Sequence, residues 1–288
     1  MKRIGLLDHS LDNFHANFLP RWIEASGRAN DFSITHAFAL SDSPGGCDNR
    51  RWCDERKVKW CESPEEVVDA CDAIAVLAPS NPESHEQLSD AALRSGKPLF
   101  IDKTMAVSAA GARQFFEVAR EYGTPVFSAS ALRFAQEVKA AKDFLDGARP
   151  ANLFLMGPGS VEEYSVHYWE MAVMLGIGTS GRVLCNGIGS CATILAEFDD
   201  QQTCGIRIHP GSSYGLWVAD DSGGGFEAMP ISHDFFTSFT AELLNFFDGG
   251  PCPVPAVETI QIHELINASR RALENPGNWE TFNTELKS

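Results

Sequence analysis

Apolar residues along the first half of the chain come in short runs separated by amphipathic stretches. Arg3 to Leu7 reads as a buried strand, Phe14 to Ala25 as a helix, and Ile34 to Leu40 as a second strand. Val58 to Trp60 reads as a third short strand. Ser63-Pro64-Glu65-Glu66 opens a short helix, with serine at the N-cap and proline at the first helical position. Ala73 to Ala78 is apolar without alternation, the pattern of a strand buried on both faces of a parallel sheet. Asn81-Pro82-Glu83 caps the next predicted helix, which runs to Arg94, with Gly96 placed to end it. Pro98 to Ile101 and Val126 to Ser128 are further strands, separated by a helix from Ser108 to about Gly123. Strand and helix alternate throughout, which predicts right-handed βαβ units.

The pattern changes near residue 130. Helices are predicted over Gln136 to Leu145 and Glu162 to Leu175, with a strand at Asn152 to Met156 between them. Strand-like runs follow at Arg182 to Gly187, Ala192 to Phe198, Thr203 to Ile208 and Tyr214 to Ala219, with a glycine turn at Gly223-Gly224-Gly225. Two helices, Asp234 to Phe247 and Val257 to Leu273, complete the pattern. The fold class expected is α/β: a Rossmann-like doubly wound parallel sheet over residues 1–130, then an α+β unit with a large, mostly antiparallel sheet over 131–288.

A chain of 288 residues with 44% hydrophobic content supports two packed cores. Its net charge of −16 argues against nucleic acid and against anionic membranes, since both need a basic face. It leaves room for a nucleotide cofactor, because a helix N-terminus can hold a pyrophosphate. The opening residues do not have the form of a signal peptide, and no apolar run is long enough to span a bilayer. A cytoplasmic location is expected, with the eight cysteines reduced and partly buried. Cys47, Cys53 and Cys61 match no zinc-ligand spacing.

Several motifs, in order, resemble the glucose-fructose oxidoreductase / inositol dehydrogenase (Gfo/Idh/MocA) family. They are the strand and turn Asp72 to His85, the pair Gly96-Lys97, Asp102-Lys103-Thr104 in place of Glu-Lys-Pro, and Ser130 to Phe134 ending a strand near Arg133. Glu163 and His167 stand at the spacing of that family's Asp and His, and the C-terminal helices are also similar. The family's G-x-G-x-x-G is absent. Asp8-His9-Ser10-Leu11-Asp12-Asn13 stands where its glycines belong.

The resemblance implies an NAD(P)-dependent oxidoreductase that transfers hydride at a secondary alcohol of a sugar, polyol or related small molecule. The alternative is a non-catalytic sensor or scaffold that binds a nucleotide or sugar. Redox-neutral sugar chemistry is a third option within the family. The implied catalytic residues are Lys103 and His167, sharing the acid/base role, with Glu163 one helical turn from His167 to orient it. The implied NAD or NADP contacts are His9, Ser10, Asn13, Asp42, Pro79, Ser80, Asn81, His85 and Asp102. Asp42 resembles the acid that binds an adenosine ribose and disfavours a 2′-phosphate. Arg133 and Glu170 are the implied substrate contacts, with an interdomain salt bridge the other reading of Arg133. His9, Asp12 and His15 either bind a metal, or leave a nucleotide phosphate to Ser10, Asn13 and backbone N–H groups, or fill the space of a lost cofactor. A homodimer or homotetramer is expected by resemblance, through the open face of the second sheet.

Overall fold

The computed structural model describes residues 1–188, 191–231 and 234–284. The chain divides into two compact units. One comprises Met1–Ala129 with Phe236–Thr259, the other Ser130–Phe235 with the residues from Ile260 onward.

The first unit holds a six-stranded parallel sheet. Its elements in chain order are β1 (Lys2–Asp8), α1 (Phe14–Ala25), β2 (Phe32–Ala39), α2 (Asn49–Arg56), β3 (Lys59–Trp60), α3 (Pro64–Ala70), β4 (Ala73–Val76), α4 (His85–Leu93), β5 (Leu99–Asp102), α5 (Ala109–Tyr122) and β6 (Val126–Ala129). The spatial order β3-β2-β1-β4-β5-β6 places the reversal of winding between β1 and β4. Open α/β sheets bind ligands beyond the carboxyl ends of their strands at such a point. Strands β4 and β5 are buried at every position, as the apolar run predicted. Each fully buried Leu or Ile contributes about 1.5–3 kcal/mol. Gly5 in β1 lets α3 pack closely, since a Cβ there would lie 2.4 Å from Val67 Cγ1.

One capping device recurs. Asn13, Asp48, Ser63, Ser108 and Ser160 each accept a hydrogen bond from the backbone N–H three residues on, satisfying an otherwise orphaned helical donor. The expected cap at Asn81 takes another form. A 3-10 turn, Pro82–Ser84, precedes α4, and the Asn81 side chain donates to Glu83 Oε1 at 3.0 Å.

The second unit comprises α6 (Gln136–Leu145), β7 (Asn152–Gly157), α7 (Val161–Leu175), β8 (Ser180–Ile188), β9 (Cys191–Phe198), β10 (Thr203–Ile208), β11 (Gly215–Ala219) and β12 (Gly225–Ala228). Helix α8 (Phe235–Phe247) then packs with the first unit, where Phe239 meets Phe100 and Phe246 meets Phe127. Helix α9 (Ala256–Glu274) and β13 (Trp279–Asn283) follow. The seven-stranded sheet has the order β12-β11-β7-β10-β9-β8-β13, antiparallel except between β7 and β10. Its strands alternate. Leu153, Leu155, Val183, Ile194, Ile206, Leu216 and Val218 enter the core, while Phe154, Leu195 and Trp217 are exposed on the opposite face.

Candidate functional site

The chemistry of the first unit gathers at the carboxyl ends of its strands. Asp8 ends β1 and is fully buried. Its carboxylate accepts from the backbone N–H of His9 at 2.8 Å and of Ala78 at 3.0 Å, from Asn13 Nδ2 at 2.8 Å, and from the N–H of Ser10. Burial pushes the Asp8 carboxyl up to about 7, because these neutral donors only partly offset desolvation. Asp102 ends β5 and is also buried, with Oδ2 2.9 Å from His15 Nδ1 on α1. Burial opposes its ionisation. Even so, the charges of His15, Lys103 and His85, with the His15 contact, hold it below the usual carboxylate range.

Lys103 is half-buried beside Asp102, and its ammonium donates to Pro79 O at 2.7 Å. Asp42 is exposed beyond β2, with Oδ1 accepting from Asn49 N at 2.8 Å. A polar cavity of about 240 Å³ opens beside it, lined by Ser41, Asp42, Asn49, Arg50 and Trp60 among others.

Several expected cofactor contacts are spent elsewhere. The ring nitrogens of buried His85 lie 3.0 Å from Met105 O and 3.2 Å from Leu77 O, so this side chain ties the β4 and β5 ends together. Asn13 Oδ1 caps α1, and its Nδ2 donates to Asp8 and to Ser10 O. Ser10 Oγ accepts from Ser43 Oγ at 3.0 Å. Ser80 is exposed on the same edge, next to Asn81. Asp102 faces inward to His15 rather than outward to a ligand. His9, Asp12 and His15 are not gathered as a metal site. Among the described residues no group of three or more His, Cys, Asp or Glu side chains is placed to hold an ion.

The second unit carries its own polar cluster. His167, on α7, is half-buried, and its Nδ1 lies 2.7 Å from Ser130 Oγ. The backbone N–H of Ser130 donates to Glu170 Oε1 at 3.1 Å, and Arg133 Nη1 lies 3.2 Å from Glu170 Oε2. Arg133 and Glu170 therefore form a buried ion pair within this unit, 6% and 3% exposed at their side chains. Burial holds the phenols of Tyr168 and Tyr214 well above their usual range. Tyr164 and Tyr214 frame the imidazole at centroid distances of 5.2 and 6.2 Å. Glu163 lies exposed on the first turn of α7. From the sequence, Ser130 stands out only within the Ser130 to Phe134 motif and not as the partner of His167. The sequence offered one signal for this: a polar residue closing an apolar strand.

Residues 23–130 match the family model described as an oxidoreductase family with an NAD-binding Rossmann fold. That stretch is similar to the Gfo/Idh/MocA family. An 85-residue segment is 33% identical to the inositol 2-dehydrogenase of Serratia proteamaculans and 29% identical to that of Azotobacter vinelandii. Each match covers 29% of this chain and only about a quarter, 25%, of the relative's length. The fold match is longer. The myo-inositol dehydrogenase of Lactobacillus casei, solved with NAD(H) and myo-inositol, superposes with a TM-score of 0.82 at 13% identity, over 100% of this chain and 98% of that one. A probable dehydrogenase of Thermotoga maritima gives 0.78 at 15% identity over 96% and 98%. These likenesses establish the fold of both units, a parallel sheet of the dinucleotide-binding type and a mostly antiparallel one.

The donors present bear on whether a dinucleotide fits. The cavity beside Asp42 suits an adenosine, with an indole and a carboxylate at its rim. The first loop differs from a glycine cradle, because the Asp8 carboxylate already occupies the backbone N–H groups there. Imidazole and hydroxyl groups stand at the same edge in their place.

Proposed function

We propose that the protein is an NAD-dependent dehydrogenase of a polyol, its first unit holding the dinucleotide and its second the substrate. The observation that carries this reading is the family match over residues 23–130, on which Asp42 and Lys103 sit at ligand-bearing strand ends. Asp42 favours NAD over NADP by repelling a 2′-phosphate. The names of the curated relatives support an inositol or similar polyol as substrate.

When bound, a nicotinamide supplies the hydride acceptor. The chain's own residues handle the proton. His167 takes it from the substrate hydroxyl, with Nδ1 hydrogen-bonded to Ser130 Oγ to orient the ring. Lys103 stands at the ligand-bearing strand ends of the first unit, where an ammonium stabilises negative charge on a ligand oxygen. Glu170 and Arg133 hold the backbone of Ser130 and so fix His167 indirectly. All eight cysteines are free thiols, which supports a reducing cytoplasmic setting. The cross-strand row Trp217, Phe154, Gly205, Leu195 supports self-association of a second copy through the open sheet face, as a dimer or tetramer.

The test is NAD⁺ reduction at 340 nm with a panel of polyols. Lys103→Ala and His167→Ala should each lower kcat by about 10²-fold or more. Unchanged turnover in both variants overturns the assignment.

A further inference from the structure

Three adjacent strands, β2, β1 and β4, end side by side, and one imidazole spans the segments that follow them. His9 follows β1. Its Nδ1 lies 3.1 Å from Ser84 Oγ, after β4, and its Nε2 lies 3.1 Å from Ser41 Oγ, after β2. Ser41 also donates its N–H to His9 O at 2.9 Å, and its Oγ reaches the same oxygen at 3.4 Å, so the bridge is fixed at both ends. Ser84 is buried, His9 half-buried and Ser41 exposed. A ligand running from the cavity beside Asp42 toward Lys103 passes over this ring.

The backbone under the ring has little left to give. The N–H groups of His9, Ser10 and Ala78 go to the Asp8 carboxylate. Leu11 N donates to Asn49 Oδ1 at 2.9 Å, Asn13 N to Leu11 O at 2.9 Å, and Ala16 N to Asn13 Oδ1. A diphosphate laid across β1 meets side chains instead.

We infer that the His9–Ser41–Ser84 bridge replaces the glycine loop as the holder of the dinucleotide's pyrophosphate; this rests on the NAD reading above. With both ring nitrogens protonated, each donates to a serine oxygen, and each hydroxyl hydrogen turns outward to a phosphate oxygen, that of Ser41 giving up its long contact with His9 O. One positive charge and two aligned donors then face the diphosphate. A neutral ring keeps one N–H and loses the charge. Binding of phosphate-bearing ligands therefore draws a proton onto His9, while a phosphate-free nucleoside does not. The titratable groups on the segments that meet at this edge are Asp8 at the end of β1, Asp12 in the first loop, Asp42 next to Ser41, Glu83 and His85 flanking Ser84, and Asp102 and Lys103 at and after the end of β5. Glu83 is held below the usual range by Asn81, with smaller contributions from His9 and His85.

The experiment is calorimetric titration of the full chain with ADP-ribose and with adenosine, at about pH 6 and about pH 8, in buffers of different ionisation heat. The wild type should bind ADP-ribose more tightly at the lower pH, with proton uptake, and bind adenosine equally at both. His9→Ala should weaken ADP-ribose on the order of tenfold at the lower pH, abolish the pH dependence and leave adenosine unchanged. Ser41→Ala, at an exposed position, should weaken ADP-ribose less. Equal or tighter ADP-ribose binding by His9→Ala, with adenosine binding retained, overturns the bridge and leaves the NAD reading standing. A wild type that binds no ADP-ribose at either pH overturns both.

Discussion

The ends of β1 and β5 each bury an aspartate at the same sheet edge, yet the two carboxyls move in opposite directions. Asp8 is surrounded by backbone N–H groups and an amide, all neutral, and is pushed up to about 7. Asp102 is no better solvated, but it faces His15, Lys103 and His85 and stays below its usual range. Neutral hydrogen bonds orient a buried carboxylate without fully replacing its water, whereas a nearby cation does. One strand end is therefore a proton acceptor near neutrality, and the other a fixed negative charge beside Lys103.

The largest effect expected from that contrast is loss of the His15 contact. His15→Ala should destabilise the protein by about 3–5 kcal/mol at neutral pH, because Asp102 is left buried with its nearest partner gone. In an Asp102→Asn background the same change should cost much less. Denaturant titrations of the four proteins measure this coupling. An equal loss in both backgrounds breaks the contrast, since His15 would then act by packing against neighbouring rings such as Phe14, Trp22 and Phe236.

Asp8 provides the next effect, with opposite sign. A carboxyl raised on folding binds more protons in the native than in the unfolded state between about pH 4 and 7, so stability falls as pH rises through that window. The slope reaches about 1 kcal/mol per pH unit. Asp102, lowered on folding, contributes stability that is lost as pH falls through the acid range. Asp8→Asn should flatten the wild-type slope between about pH 5 and 7 and leave the acid limb in place. Parallel curves for the two proteins across that window would show that Asp8 does not titrate there.

Much of this was legible in the sequence wherever one local rule decides. The unbroken apolar runs at Ala73 and Leu99 gave buried parallel strands, and the Ser63-Pro64 and Ser108 signals gave helix starts. Helix α2 escaped because its sequence, NRRWCDER, is charged almost throughout and buries only Asn49, Trp52 and Cys53. Strand β12 was hidden by the glycine turn before it, and β13 by its five-residue length. Nor does the sequence say that α8 packs with the first unit, since an amphipathic helix does not name the core it joins. At the site, residue types were readable but partners were not. Glu163 and His167 lie one turn apart, yet the group holding the imidazole is Ser130, 37 residues away. Likewise Asn13 and His85 are polar residues at a ligand-bearing edge, and pairing along the chain cannot reveal that the caps and carbonyls of neighbouring strands claim them.

The smallest expected effect carries the same contrast into the second unit. There Ser130 is to His167 what the backbone N–H groups are to Asp8: a neutral partner that orients without adding charge. Its Oγ also accepts from Leu132 N at 3.3 Å, which fixes the hydroxyl whichever way the imidazole proton lies. Ser130→Ala should therefore loosen the ring and lower kcat on the order of tenfold, with KM and the midpoint of the kcat–pH profile nearly unchanged. Ser130→Thr, which keeps the hydroxyl, should recover most of the loss. A charged partner would behave otherwise, because its removal moves the midpoint along with the rate. A midpoint that shifts in Ser130→Ala would mean that Ser130 tunes the basicity of His167 as well as its direction, and the parallel between the two neutral shells would fail.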